Sequence, residues 1–141
     1  MSDLINFGKV PPHNSEAEQT VLASAMIDEA AVEKLLNLLK TDDFYFEANR
    51  EIFECIKDVH MQNIPVDALT ISEELKKREK IDYVGGFEYL AKLTENIITS
   101  KNVEAYCNII REKSILRKLI NASNEIIEKG YRENEEVQKI I

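Results

Sequence analysis

Residues 102–130 read NVEAYCNIIREKSILRKLINASNEIIEKG, with no proline and no glycine before Gly130. Such a stretch predicts one long helix, on the order of 40 Å at 1.5 Å per residue, and Gly130 supplies a natural C-terminal stop. Its apolar residues change face partway along. Val103, Tyr106, Cys107 and Ile110 share one side of the first half. Leu116, Leu119, Ile120, Ile126 and Ile127 cluster in the second half, displaced by more than about a quarter turn at 100° per residue. One flat partner cannot cover both. The first half is expected to dock on the preceding helices. The second must be buried elsewhere, within an intramolecular helical hairpin or at a contact with another subunit.

Past Gly130, Asn134-Glu135-Glu136 reads as a cap and acidic first turn, and Val137, Ile140 and Ile141 begin another apolar stripe. The pattern stops there without a closing cap, as expected of a fragment cut inside the second arm of a hairpin. Working back towards the N-terminus, residues 1–14 read as a flexible leader, stiffened by Pro11-Pro12. Residues 15–98 read as a compact helical head of about five helices. Ser15-Glu16-Ala17-Glu18 matches a capping box, with Ala17, Val21, Leu22, Ala25 and Met26 on one face of the helix that follows. Asp28 can cap the next helix, where Val32, Leu35, Leu36 and Leu39 recur at helical spacing. Thr41-Asp42-Asp43 offers acids to the N-terminus of a third helix, whose inner side is Ala48, Ile52, Phe53, Ile56 and Val59. Thr70-Ile71-Ser72-Glu73 is a second capping-box match, opening a short helix that ends in Lys76-Lys77-Arg78, a charge the dipole prefers at that end. After Gly85-Gly86, a helix over 86–94 carries Phe87, Leu90 and Ala91 on one side and Tyr89 and Leu93 on the other. It is expected to be buried, with Tyr89 its more exposed member.

The chain has 141 residues, 44% of them hydrophobic and 31% charged, enough to bury roughly two-thirds of the unfolded surface in one all-α domain. Four glycines and three prolines are too few for the many turns of an all-β fold. The net charge of −8 makes the chain as a whole a poor phosphate binder. That charge is uneven: residues 1–98 carry −9 and residues 99–141 carry +1. Nucleic acid should be repelled by the head, while the near-neutral extension suits assembly. No phosphate-cradling glycine loop is present, since Gly85-Gly86 leads into Phe87-Glu88 instead of a lysine. His13 and His60 are far apart, and Cys55 and Cys107 make no spaced pair. The residues therefore nominate no catalytic, cofactor-binding or metal site. The thiols read as small buried hydrophobes of a reducing compartment. Neither a signal peptide nor a membrane-spanning run is evident.

A resemblance adds to this reading. The run Pro11-Pro12-His13-Asn14-Ser15-Glu16-Ala17-Glu18-Gln19-Thr20-Val21-Leu22 resembles the opening of bacterial replicative DNA helicases of the DnaB type. So do Asp43-Phe44-Tyr45 with Arg50-Glu51-Ile52-Phe53, Pro65-Val66-Asp67, and Val84-Gly85-Gly86 with Tyr89-Leu90. Asn102-Val103-Glu104-Ala105-Tyr106, Arg111-Glu112-Lys113 and Leu116-Arg117-Lys118-Leu119-Ile120 complete a collinear set from about residue 10 to about residue 130. Each piece is weak alone, and the ordered set is specific. The sequence departs from the family at Asn49, where histidine is frequent, at Asn63-Ile64, which lacks a glycine, and at Ile98-Thr99, where Val-Pro is usual. These departures are expected to touch helix ends and loops.

The resemblance implies the N-terminal assembly domain of a hexameric helicase: a helical head and a hairpin that pairs subunits into dimers and a trimer of dimers. It implies a scaffold that does no chemistry and receives the C-terminal domain of DNA primase, with a helicase loader as a further possible partner. The RecA-like motor, its Mg-ATP and most DNA binding would lie outside this chain, in a bacterial cytoplasmic protein that unwinds DNA 5′ to 3′ at the replication fork. Leu116, Leu119, Ile120, Ile126 and Ile127 are then the subunit-interface residues, and Glu16 and Tyr89 the primase-facing candidates. Glu16 is equally well read as a first-turn dipole partner, and Tyr89 as a core residue. The rival function is a free-standing helicase-loader or replication-initiation adaptor with the same head. An independent nucleic-acid-binding domain sits poorly with the acidic head.

Overall fold

The computed structural model describes residues 9–95, 97 and 102–132. Among these residues the chain is all-α: α1 (Ser15–Ile27), α2 (Glu29–Leu38), α3 (Glu47–Met61), α4 (Ala68–Lys77), α5 (Ile81–Val84), α6 (Gly86–Glu95) and α7 (Val103–Gly130). A 3-10 turn, Thr41–Asp43, joins α2 to α3. The head therefore holds six helices, the additional one being the single turn α5, which Gly85 ends at φ +110°. The expected second hairpin arm, with Asn134, Val137, Ile140 and Ile141, lies outside the described residues, as do Ile98-Thr99 and residues 1–8.

The centre of the fold is α1. It packs against α2, α3, α6 and α7, and its residues 21–26 are buried without a break. A helix packed against four neighbours is helped by small residues, and α1 buries Ala17, Ala23, Ser24 and Ala25. Leu35, Phe44, Ile52, Phe53, Ile56, Ile71, Leu75 and Leu90 complete the core around it. Phe44 and Phe53 pack with ring centroids 5.0 Å apart, a spacing typical of favourable aromatic pairs. Cys55 and Cys107 are buried and unpaired. Burial pushes their thiols up to about 12 and about 11, so at neutral pH they behave as small hydrophobes.

Several local readings change. The cap of α1 is Asn14, whose Oδ1 accepts from Ala17 N at 2.9 Å, and Ser15 is already helical. Glu18 turns inward. The cap of α4 is Asp67, with Thr70 closing the reciprocal bond from the third helical position, so this helix begins earlier than the Thr70-Ile71-Ser72-Glu73 match implied. In both cases an earlier Asn or Asp takes the cap; Asp is a stronger cap than Thr, whereas Asn and Ser are equivalent and the helix simply starts one residue sooner. Asp42 and Asp43 do not serve the N-terminus of α3; they form their own 3-10 turn four residues upstream. In α6 the buried pair is Leu90 and Leu93, while Phe87 is exposed and Tyr89 half-buried. The expectation that Tyr89 is the exposed member fails because the buried face of α6 runs through Leu90 and Leu93, one from each predicted side, which leaves Phe87 outside it. Lys76 and Lys77 lie in the last turn of α4 as expected, and Arg78 ties that end to α3 through Asp58 while also pairing with Glu74 of its own helix.

Candidate functional site

The predicted long helix is present, and its two halves differ in environment. Val103, Cys107 and Ile110 are at most 2% exposed and pack into the head against α1 and α2. From Ser114 onwards the docked side turns polar: Ser114, Arg117, Asn121, Asn124 and Glu128 continue the same face at helical spacing. The apolar residues move more than about a quarter turn away, as the sequence pattern implied. Leu116 (43%), Leu119 (62%), Ile120 (37%), Ile126 (69%) and Ile127 (40%) are all exposed, and Ile115 joins them. All five candidate assembly residues thus lie on one broad face with no covering among the described residues. A face of this size on a well-packed domain marks a contact surface.

What aims α7 is a polar clasp at the point where it leaves the head. Ser114 Oγ donates to Asp43 Oδ1 at 2.7 Å, and Asp43 Oδ2 accepts from Lys40 N at 2.8 Å. The Arg117 guanidinium donates to the carbonyls of Pro12 (2.8 Å) and Asp43 (2.6 Å) and lies 5.6 Å from the centre of the Tyr45 ring. Burial holds the Arg117 guanidinium below its ordinary range, opposed by Glu18 and Asp43 and reinforced by Arg50. His13 stacks on the other partner in this sandwich, Tyr45, at 4.2 Å. Residues 11–14, read as leader, are consequently half-buried and held between α7 and the segment before α3.

Beneath the clasp lies Glu18, 1% exposed. Its Oε2 accepts from Tyr45 N at 2.8 Å, and its Oε1 from Asn49 Nδ2 at 3.0 Å and Phe46 N at 3.4 Å. No side chain of its own segment caps α3, so a carboxylate from α1 accepts from the free backbone N–H groups there and adds its charge to that of Glu47 in the first turn. Asn49, treated as a departure near a helix end, is buried in the first turn of α3 and completes this carboxylate's bonding. Sequence reasoning missed Glu18, Asp43, Ser114 and Arg117 as a group. Their separations of 71 to 105 residues for the bonds reaching α7 leave no periodic signal.

The two head candidates come together. Glu16 and Tyr89 line one groove of about 340 Å³ between α1 and α6, with Gln19, Thr20, Lys92 and Ile97. Glu16 is exposed at the rim. Tyr89 is half-buried, and burial raises its phenol above the ordinary value, opposed by the neighbouring Gln19 side chain. Gly85 sets the ring's position: a Cβ there would stand 3.0 Å from Tyr89 Cβ, on a backbone at φ +110° that side chains rarely adopt. The arrangement has the makings of a protein contact, an aromatic with a polar tip beside one acid and one amine. Among the described residues no group of His, Cys, Asp and Glu could hold a metal ion, and no helix is long and apolar enough to cross a membrane.

Comparison with known proteins places this architecture. The model of the DnaB-like helicase N-terminal domain family matches residues 10–112. The replicative DNA helicase DnaB of Geobacillus stearothermophilus is 36% identical over 141 residues, which cover all of this chain and 31% of that protein. The chain thus spans about a third of the length of that relative. The crystal structure of the N-terminal domain of DnaB helicase from Mycobacterium tuberculosis superposes with a TM-score of 0.89 at 32% identity, covering 93% of this chain and 92% of the other. A structure of the corresponding domain from Helicobacter pylori, described together with its interactions with primase, matches at a TM-score of 0.67 and 27% identity, over 82% of this chain and 90% of that one.

Proposed function

This chain belongs to the DnaB-like helicase N-terminal domain family, and on that premise we propose that it is the assembly and primase-docking module of a bacterial replicative DNA helicase. It acts as a scaffold. The free apolar face of the second half of α7 carries this reading. Leu116, Leu119, Ile120, Ile126 and Ile127 pair subunits through that face, into dimers and then a trimer of dimers. The α1/α6 groove, with Glu16 and Tyr89, receives the C-terminal domain of primase. Support for the second contact comes from the Helicobacter pylori relative, whose domain is described with its primase interactions. The clasp at Ser114 and Arg117 fixes the angle at which α7 leaves the head, and so the distance between assembly face and docking groove.

Unwinding, 5′ to 3′ movement and ATP hydrolysis belong in this proposal to the parent protein, which is cytoplasmic. Nothing in this chain's sequence forms the phosphate loop that Mg-ATP requires, so that group would be held by the motor. A free-standing loader or adaptor would share the head but not the motor. Whether the reading frame continues past Ile141 into a phosphate-binding loop separates the two.

Light scattering of this chain, alone and with the cognate primase C-terminal domain, tests the proposal. The expected result is concentration-dependent self-association and a complex with primase that Tyr89→Ala weakens about tenfold or more. A strict monomer that ignores primase would sink both halves of the reading.

A further inference from the structure

A second groove lies between α2 and α3 and shares no residue with either surface above. It occupies about 660 Å³ between the C-terminal parts of α2 and α3, bounded by Leu36, Leu39, Phe53 and Met61, with Lys40, Lys57, Thr41 and Asp42 at its rim. A volume in this range suits a few inserted side chains. Leu39 and Phe53 are buried at its floor, whereas Met61 is 71% exposed at its lip. An exposed thioether beside apolar walls is an adaptable contact that costs little to reshape.

The charge around it is unusual for this protein. The chain carries −8, yet this groove is rimmed by two exposed lysines. Among the described residues neither Lys40 nor Lys57 has an ion-pair partner. The nearby acids are engaged: Glu54 accepts from Thr41 Oγ1, and Asp42 lies 3.9 Å from Lys118 Nζ. What remains is an apolar trough whose rim carries two unpaired lysines against one acid, Asp42, which faces Lys118. Its walls are helices, which offer no free backbone ladder, so an added strand has nothing to pair with. A third helix fits such a trough by ordinary ridge-into-groove packing.

We infer that the α2/α3 groove docks an acidic amphipathic helix of a partner protein, with apolar anchors one turn apart over Leu39 and Phe53 and flanking Asp or Glu side chains on Lys40 and Lys57. The apolar floor supplies affinity, and the two lysines select against basic helices and fix the register.

The test titrates a pair of synthetic amphipathic helices into the isotope-labelled chain, followed by NMR. Both carry the same leucine stripe; one is flanked by Glu and the other by Lys. The Glu-flanked helix is expected to shift the methyl signals of Leu36, Leu39 and Met61 saturably. Lys40→Glu with Lys57→Glu should weaken it about tenfold or more and strengthen the Lys-flanked helix. Should the double variant lose its helical circular dichroism, Met61→Gln replaces it, with about a threefold weakening expected. Equal binding of both helices, shifts centred elsewhere, absence of saturable binding or indifference to these substitutions overturns the proposal. Concentration-dependent loss of the same methyl signals without any peptide would assign the groove to a second copy of this chain and would overturn it equally.

Discussion

The two halves of α7 are built from the same kinds of residue and meet opposite fates. Val103, Cys107 and Ile110 disappear into the head, while Leu119 and Ile126, just as apolar, stand more than 60% exposed. The helix is continuous across the change. Backbone propensity therefore does not distinguish the halves. The distinction lies in where the apolar side chains sit around the axis, and in a polar clasp that stops the second half from rolling its stripe onto the head. Ser114 and Arg117 occupy the docked side where further hydrophobes would have extended the core, and both are bound to the segment before α3. On the function proposed above, the free stripe is held out for another chain or another arm.

If that is right, truncations in the two halves should separate by several kcal/mol. Ile110→Ala is expected to cost about 3 kcal/mol of folding stability, as a cavity in a packed core does, read from urea unfolding of a concentration low enough to avoid association. A loss under about 1 kcal/mol would erase the contrast. Next in size is the carboxylate beneath the clasp. Glu18→Gln keeps the shape but removes the charge that three donors share, and about 2 kcal/mol should go with it. An unchanged unfolding midpoint would show that the Tyr45 and Asn49 donors find other acceptors.

Smaller in energy, but aimed at geometry, is Arg117→Met. It should cost about 1 kcal/mol and, more tellingly, speed amide hydrogen exchange in α7 from Ser114 onwards while leaving the Val103 end protected. Uniform exchange along the helix would mean that the clasp does not set its direction. The smallest effect on the fold is expected from Ile126→Asp, within about 0.5 kcal/mol for the monomer. Its effect on assembly should be large, because an unpaired charge enters an apolar contact. Sedimentation velocity with an unaltered oligomer distribution would remove the free stripe from the subunit interface.

Much of this could be read from the residues alone, and the failures share a cause. The face of α3 and the docked side of α7 follow from three- and four-residue recurrence, which reports only what lies along one helix. Phe87 misled because its apolar character said nothing about which flank of α6 would meet α1 and α4. The Ser15 and Thr70 cap readings failed by competition with Asn14, an equally good cap one residue upstream, and Asp67, a stronger one three residues upstream. Glu18 looked like the far end of a capping box, yet its partners are 27 to 31 residues away. The groove shared by Glu16 and Tyr89 could only emerge once α6 had been laid beside α1.

The amino-acid order by itself settled that the chain is helical, roughly where each helix runs, that α7 is long and two-faced, and that the negative charge resides in the head. Those properties depend on local backbone preference and periodic burial, which act over a few residues. Only the tertiary structure decided the angle of α7, the inward turn of Glu18, the use of Asn49, and the lysine-rimmed trough between α2 and α3. Each of these depends on hydrogen bonds or packing between segments far apart in the chain. A buried polar group must find its partner wherever the fold brings one, and local sequence patterns carry no record of that meeting.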